Sequence, residues 1–295
     1  MDFIQAESLV SEPPSEVSAV SRSRPHLTIK PAKGWVPMDL GELWQFRDLM
    51  FALAMRDLKL RYKQTALGVV WVVLNPLLNA GILSFVFGTV AHLKSGPIPY
   101  FIFAYVGQMA WVLFNTVLTK AGGSLVGNAH LISKVFFPRL ILPLSAVPSA
   151  LVDFFITAGM LVVLLAINHI VPGMGVLLLP VWILLLLVAA TGIGLVATSL
   201  MVTYRDVGYV LPVALQLLFF ASPIAYGVSQ VPERLRFYFN LNPLSAVFEA
   251  IRWSVFGIGT LDPVRLAYAG AASVALLLIG VLSFKRMEQK FADVI

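Results

Sequence analysis

Long apolar runs alternate along the chain with short segments that hold most of its charge. No charged residue occurs between Lys63 and Lys94, a gap longer than the ~20 residues a helix needs to span a bilayer. Runs that are free or nearly free of charge predict six transmembrane helices, at about 66–91, 97–119, 140–167, 176–203, 207–228 and 264–284. From Phe154 to Tyr204 there is no charge at all, and Asn168-His169 with Pro172-Gly173 marks the turn between two spans. Pro143, Pro148, Pro212 and Pro223 fall within spans and predict kinks that neighbouring helices must support.

Ahead of the first span, Asp39 is placed to cap a helix, with Glu42 three residues later. Leu43, Phe46, Met50 and Leu53 then repeat at helical spacing, while Glu42, Gln45, Asp48 and Arg56 take another face. Such an amphipathic helix lies in a membrane surface or packs on a soluble partner. Residues 1–34 carry Pro, Ser and Glu with few large apolar residues, and predict a disordered cytoplasmic tail. Met1 through Glu16 has neither the basic start nor the apolar core of a signal peptide, so the spans themselves are expected to direct insertion. The expected organisation is a tail (1–34), an interface helix with a basic junction (35–65), a six-span domain (66–284) and a cytoplasmic tail (285–295).

Two connections have structure of their own. In 229–260, Pro232 and Pro243 each suit a first helical turn, and Asn242 is placed to cap the second helix. That helix, about 243–256, is ~21 Å long and cannot cross ~30 Å of hydrocarbon. It is apolar yet contains Glu249 and Arg252, which predicts a re-entrant or interfacial hairpin. At membrane depth such a hairpin must line a water-filled cavity or be buried in protein. In 120–139, Leu125, Ala129 and Ile132 predict one apolar face of a short helix bounded by glycines and Pro138. That face is too small to hold the helix on lipid, so it calls for a protein groove.

Composition agrees with a membrane protein. The chain is 59% hydrophobic and 12% charged, against roughly 25% charged in soluble domains, and its mean hydropathy is +0.86. The net charge of +6 does not point to nucleic acid, because the basic residues sit at segment ends and form no stripe. Arg56, Lys59, Arg61 and Lys63 crowd against the first span and favour the anionic inner leaflet. With the amino terminus inside, 16 Lys and Arg fall on the cytoplasmic side and 5 outside. Cysteine is absent, which excludes disulfides and thiolate metal sites.

Catalytic apparatus is sparse. There is no Gly-x-x-x-x-Gly-Lys-[Ser/Thr] phosphate cradle. Gly122-Gly123-Ser124-Leu125-Val126-Gly127 misses the nucleophile-elbow spacing by one position. His92, His130 and His169 are far apart at loops and span ends, without metal-ligand spacing. Asp153 is the one acid well inside a span, and intramembrane carboxylates default to functional hypotheses. A structural role is the counter-reading, with the group neutral or hydrogen-bonded to a neighbour. Phe219, Phe220, Tyr226, Phe237, Tyr238 and Phe239 gather near the outer side. An interfacial belt explains some of them, and a path on which aromatic faces stack against sugar rings explains the excess. Ala190, Gly194 and Thr198 form a small-residue row suited to close helix packing.

Several motifs in fixed order resemble membrane subunits of type-2 ATP-binding-cassette polysaccharide exporters. They are Arg56-Asp57-Leu58-Lys59-Leu60-Arg61-Tyr62-Lys63-Gln64-Thr65-Ala66-Leu67-Gly68, Trp71, Asn75-Pro76, and Leu131-Ile132-Ser133-Lys134-Val135-Phe136-Phe137-Pro138-Arg139. Tyr204-Arg205-Asp206-Val207, Ser222-Pro223-Ile224 and Asn240-Leu241-Asn242-Pro243-Leu244 complete them, and the resemblance covers about 35–290.

The resemblance implies an all-α homodimer of six-span subunits in a bacterial inner membrane, with two separate ATPase subunits below. ATP and Mg would belong to those partners, and none is implied for this chain. It implies ATPase coupling through 122–134, with Leu125, Asn128, Ala129, His130, Ile132 and Lys134, and through Tyr204, Arg205 and Asp206. It further implies a re-entrant outer gate and a channel with aromatic rings, moving O-antigen, capsule or teichoic-acid-type chains on a lipid carrier. Arg56, Lys59, Arg61 and Lys63 are then candidates to meet the carrier's pyrophosphate. Two other functions share the sequence features. One is export of a small hydrophobic drug or lipid by the same architecture. The other is a membrane enzyme on lipid-linked sugars, for which one buried acid makes a thin active site.

Overall fold

The computed structural model describes residues 40–63 and 68–294, all helix and connection among the described residues. The expected tail at 1–34, the cap at Asp39 and part of the basic motif at 64–67 lie outside them. The helices are α1 (Leu40–Gln45), α2 (Arg47–Lys63), α3 (Gly68–Leu83, running into a π-helical turn at Ser84–Val90) and α4 (Tyr100–Gly127). Then come α5 (Ala129–Ile132), α6 (Ile141–Leu144), α7 (Ala146–Ile167), α8 (Leu179–Thr203) and α9 (Val207–Phe220). The last three are α10 (Glu233–Leu241), α11 (Pro243–Phe256) and α12 (Pro263–Val294).

Five stretches are long and apolar enough to cross a membrane: Val70–Val90, Tyr100–Gly127, Ile141–Ile167, Met174–Thr203 and Pro263–Glu288. The expected span at 207–228 is not one helix. Its helical part, Val207–Phe220, has 14 residues, ~21 Å, short of the hydrocarbon thickness. Pro223 ends the pattern, because proline disfavours helix at the residue before it and supplies no N–H. The third span is divided too, between Leu144 and Ala146, where Pro148 cannot donate to the carbonyl four residues back.

α4 is the central helix, with Tyr105 and Phe114 fully buried. It crosses α8 where the small-residue row predicts close packing. A Cβ on Gly194 would lie 2.8 Å from the Ala121 Cβ, and Thr198 Oγ1 donates to the Ala121 carbonyl at 2.6 Å. A second close approach escaped the sequence reading: a Cβ on Gly280 of α12 would lie 2.3 Å from the Gly192 carbonyl oxygen. Only hydrogen fits there, so α8 and α12 meet backbone to backbone.

These contacts also set the ends of the bundle. Gly194 approaches Leu118 and Ala121, while Gly122 faces Ala197 and Met201, so α4 and α8 run parallel and finish together. Arg139 donates to the Glu288 carbonyl at 2.9 Å, which brings the end of α12 to the same place. Segments 128–139 and 204–206 and the end of α12 thus share one end. The α10–α11 hairpin packs at the other, where Trp182 donates to Ser254 at 2.8 Å.

α11 is a core element. Ten of its 14 residues are buried, and the Asn242 side chain caps it by accepting from the Leu244 N–H at 3.0 Å. Burial in protein is the condition under which so short a helix can sit at membrane depth.

Candidate functional site

α2 lies along the bundle with Leu53, Ala54 and Leu58 buried. The same helical face carries Asp57 and Arg61, one turn apart on either side of Leu58. Arg61 Nη1 forms an ion pair with Asp153 Oδ2 of α7, and the Tyr62 hydroxyl donates to Asp153 Oδ1 at 2.7 Å. The Asp153 side chain is only 7% exposed. Partial burial, and then the hydrogen bond to the carboxylate, push the Tyr62 phenol above its ordinary range.

Asp153 is thus a buried carboxylate held by Arg61 and Tyr62, a basic partner that neither the functional nor the neutral or hydrogen-bonded structural reading of the sequence names. The sequence hides the pair because 92 residues separate its members. A base also lies within a span. Lys120 was expected in a loop, but α4 continues to Gly127, and Lys120 Nζ donates to Ser149 of α7 at 2.6 Å. Gly122 does not break the helix because α8 packs on it.

Arg56 donates from Nη2 to Asn128 Oδ1 at 2.7 Å and to Asp57 at 3.0 Å. Asn128 Nδ2 in turn donates to the Ser124 carbonyl at 2.8 Å. Of the four junction cations, Arg56 and Arg61 are therefore engaged by other side chains of the bundle while remaining partly exposed. Lys59 and Lys63 point away, on an exposed face shared with Met55 and Leu60. Between α2, α4 and the start of α7 is a cavity of about 360 Å³, lined among others by Asp57, Arg61, Lys120, Gly123, Ser124 and Asn128.

The expected short helix over 122–134 is not a unit. Residues up to Gly127 complete α4, and only Ala129–Ile132 forms a separate turn. Leu125 is fully buried in the bundle and offers no docking face. Ala129 and Ile132 are half-buried, while His130 and Lys134 are exposed. The apolar surface at this corner comes from Val126, Val135 and Phe136, the last 74% exposed. Val135-Phe136 beside Lys134 was the signal available for it. Tyr204, Arg205 and Asp206 are exposed at the same end.

The aromatic set divides. Phe219 packs edge-on against Trp111 with centroids 5.4 Å apart, and Tyr226 meets Phe239 at 5.9 Å while donating to the Phe220 carbonyl at 2.6 Å. Phe220, Phe237 and Tyr238 are exposed. On α9, Tyr209, Val213, Leu217 and Phe220 repeat along one exposed row, and only Leu215 of that helix is buried. Within the hairpin, buried Arg252 of α11 donates to the Pro223 carbonyl at 2.6 Å and stands 4.5 Å over the Phe103 ring. Glu249 pairs with Arg265 at 3.0 Å.

The polar links thus join α2 to α4 and α7 at one end and lock a hairpin at the other, in a bundle built to cross a membrane. Residues 48–256 match the family model described as ABC-2 type transporter, and the chain belongs to that family. It is 29% identical to the O-antigen export system permease protein RfbA of Klebsiella pneumoniae, over 84% of this chain and 95% of that protein. It is equally 29% identical to the RfbA of Myxococcus xanthus, over 85% and 97% of the two chains. The polysialic acid transport protein KpsM of Escherichia coli is 26% identical, over 81% and 93%.

Proposed function

We propose that this chain is the membrane subunit of an ATP-driven exporter that moves a lipid-linked polysaccharide across the bacterial inner membrane. The observation that carries this is the near full-length similarity to permeases named for O-antigen and polysialic acid export. The subunit transports and does not catalyse, since its chain has no phosphate cradle. ATP and Mg bind two separate ATPase subunits, and two copies of this chain form the path between them. The amino-terminal end faces the cytoplasm, in line with its excess of Lys and Arg.

α9 and α3 supply the surface between the copies. α9 is open along one face, and polar Asn75 and Gln216 are exposed on these two helices; Asn75 Oδ1 accepts from Asn79 at 2.5 Å, but Gln216 would find no partner among lipid tails alone. Many weak aromatic contacts along such a path hold a polymer without trapping it. The ATPase docks on the corner formed by Val126, α5, Val135, Phe136 and 204–206. Lys59 and Lys63, with Met55 and Leu60, face the inner leaflet and meet the anionic carrier there. The α10–α11 hairpin is a re-entrant gate closing the outer end.

Deletion of the chain and complementation in its own host provide the test. The expected result is that surface glycan disappears, its lipid-linked precursor accumulates inside, and both return with the wild-type chain. An unchanged surface glycan in the deletion strain rules out the assignment. The purified chain alone should hydrolyse no ATP above background.

A further inference from the structure

We propose that the cavity between α2, α4 and the start of α7 is a binding subsite for a phosphate or diphosphate group, with Lys120 as its cation. The assignment rests on the reading of this chain as an exporter of a lipid-linked polymer, and gives that polymer's carrier a defined place to present its head group.

Charge comes first. Around the cavity, Arg56 is matched by Asp57 and Arg61 by Asp153. Lys120 is not matched: its ammonium donates to the neutral Ser149 hydroxyl, and among the described residues it forms no ion pair. An ammonium carries three donors. Asp57 and Asp153 also attract it, but three cations, Arg56, Arg61 and Lys120, share these two carboxylates, and the positive charge left over in a partly buried setting is costly. An anion in the cavity removes that cost.

A second, separate observation points to a ligand. Ser124 lines the cavity and is 9% exposed, and its hydroxyl oxygen is buried with no hydrogen-bond partner. Buried hydroxyls are rarely left so. Phosphate oxygens accept from both an ammonium and a hydroxyl, which these two groups provide one turn apart on α4.

The cavity wall also leaves room. Gly123 lies between the two donors, and a Cβ added there would meet nothing within 4 Å. Leu60 of α2 also lines this cavity of about 360 Å³, and its exposed neighbours Met55, Lys59 and Lys63 continue an apolar and basic surface. A head group held at Lys120 would thus leave its tail on a surface suited to lipid. Asp57 is the one carboxylate in the lining, and Arg56 holds it.

The test uses the full-length chain in nanodiscs of zwitterionic lipid, titrated with a short-chain polyprenyl diphosphate and separately with inorganic pyrophosphate. Binding of the lipid probe alone assigns the site to a lipid head group, and binding of pyrophosphate alone assigns it to a soluble phosphate compound. In either case Lys120→Gln should weaken binding about tenfold or more, and Gly123→Leu should abolish it by filling the cavity without removing a polar group. Lys94→Gln, at the other end of the bundle, should change it less than about twofold. If Lys120→Gln does not yield monodisperse protein, Ser124→Ala and Gly123→Leu decide the matter. Failure of both probes to bind, or equal binding in wild type and these variants, overturns the subsite. Surface glycan is scored separately: export without binding removes only the subsite, and binding without any role in export removes only the exporter reading.

Discussion

Arg56 and Asn128 are 72 residues apart in sequence, yet the guanidinium donates to the Asn128 side-chain oxygen at 2.7 Å. The bond joins α2 to the joint between α4 and α5. A push on α5 therefore reaches α2 directly. Arg56→Ala and Asn128→Ala should each leave the ATPase bound while lowering export, and the double variant should be no worse than either single one. The coupling free energy expected from a double-mutant cycle on thermal stability is ~1 kcal/mol, since the guanidinium is partly exposed. Additive losses in export would show that the bond transmits nothing.

The Arg61–Asp153 pair predicts an asymmetry. Removing Arg61 strands a buried carboxylate, whereas removing the charge of Asp153 leaves an arginine that is 41% exposed and can turn to water. Arg61→Met should therefore destabilise the detergent-solubilised chain by ~3 kcal/mol, and Asp153→Asn by ~1 kcal/mol. Arg61→Met with Asp153→Leu should recover most of the loss. A melting temperature lower for Asp153→Asn than for Arg61→Met contradicts this account.

At the corner of the bundle, Leu125 and Phe136 should behave oppositely. Leu125 is fully buried and Phe136 is 74% exposed. Leu125→Asp buries an unpaired charge and should prevent assembly of the bundle, a loss of at least ~4 kcal/mol. Phe136→Asp should give a stable chain from which the ATPase no longer co-purifies. Normal ATPase recovery with Phe136→Asp would remove this corner as the docking surface.

Single cysteines on the cysteine-free chain report sidedness. Positions in 231–240 and 257–262 should react with an impermeant thiol reagent from outside, and Lys134→Cys and Arg205→Cys only from the cytoplasm. Reaction of 257–262 only from the cytoplasm would mean that α11 crosses the membrane, against its length and burial.

The sequence alone determined what depends on local pattern. Runs free or nearly free of charge locate the five long spans, because a spanning helix must be continuous and apolar. Helical repetition finds the covered face of α1 and α2 at Leu43, Phe46, Met50 and Leu53, and the proline and asparagine at 242–243 locate the start of α11. The small-residue row identifies the α4–α8 crossing. The tertiary structure decided what depends on partners. Whether Gly122 ends a helix is set by α8 packing beside it, so α4 runs past its expected end and takes Lys120 and Leu125 with it. Whether Asp153 is an isolated acid is set by Arg61 and Tyr62, 92 and 91 residues away. Which junction cations are engaged and which are exposed follows from the face α2 turns to α7. A hydrophobic pattern reports how far a residue avoids water, but not which group replaces that water, and each site described here is defined by that replacement.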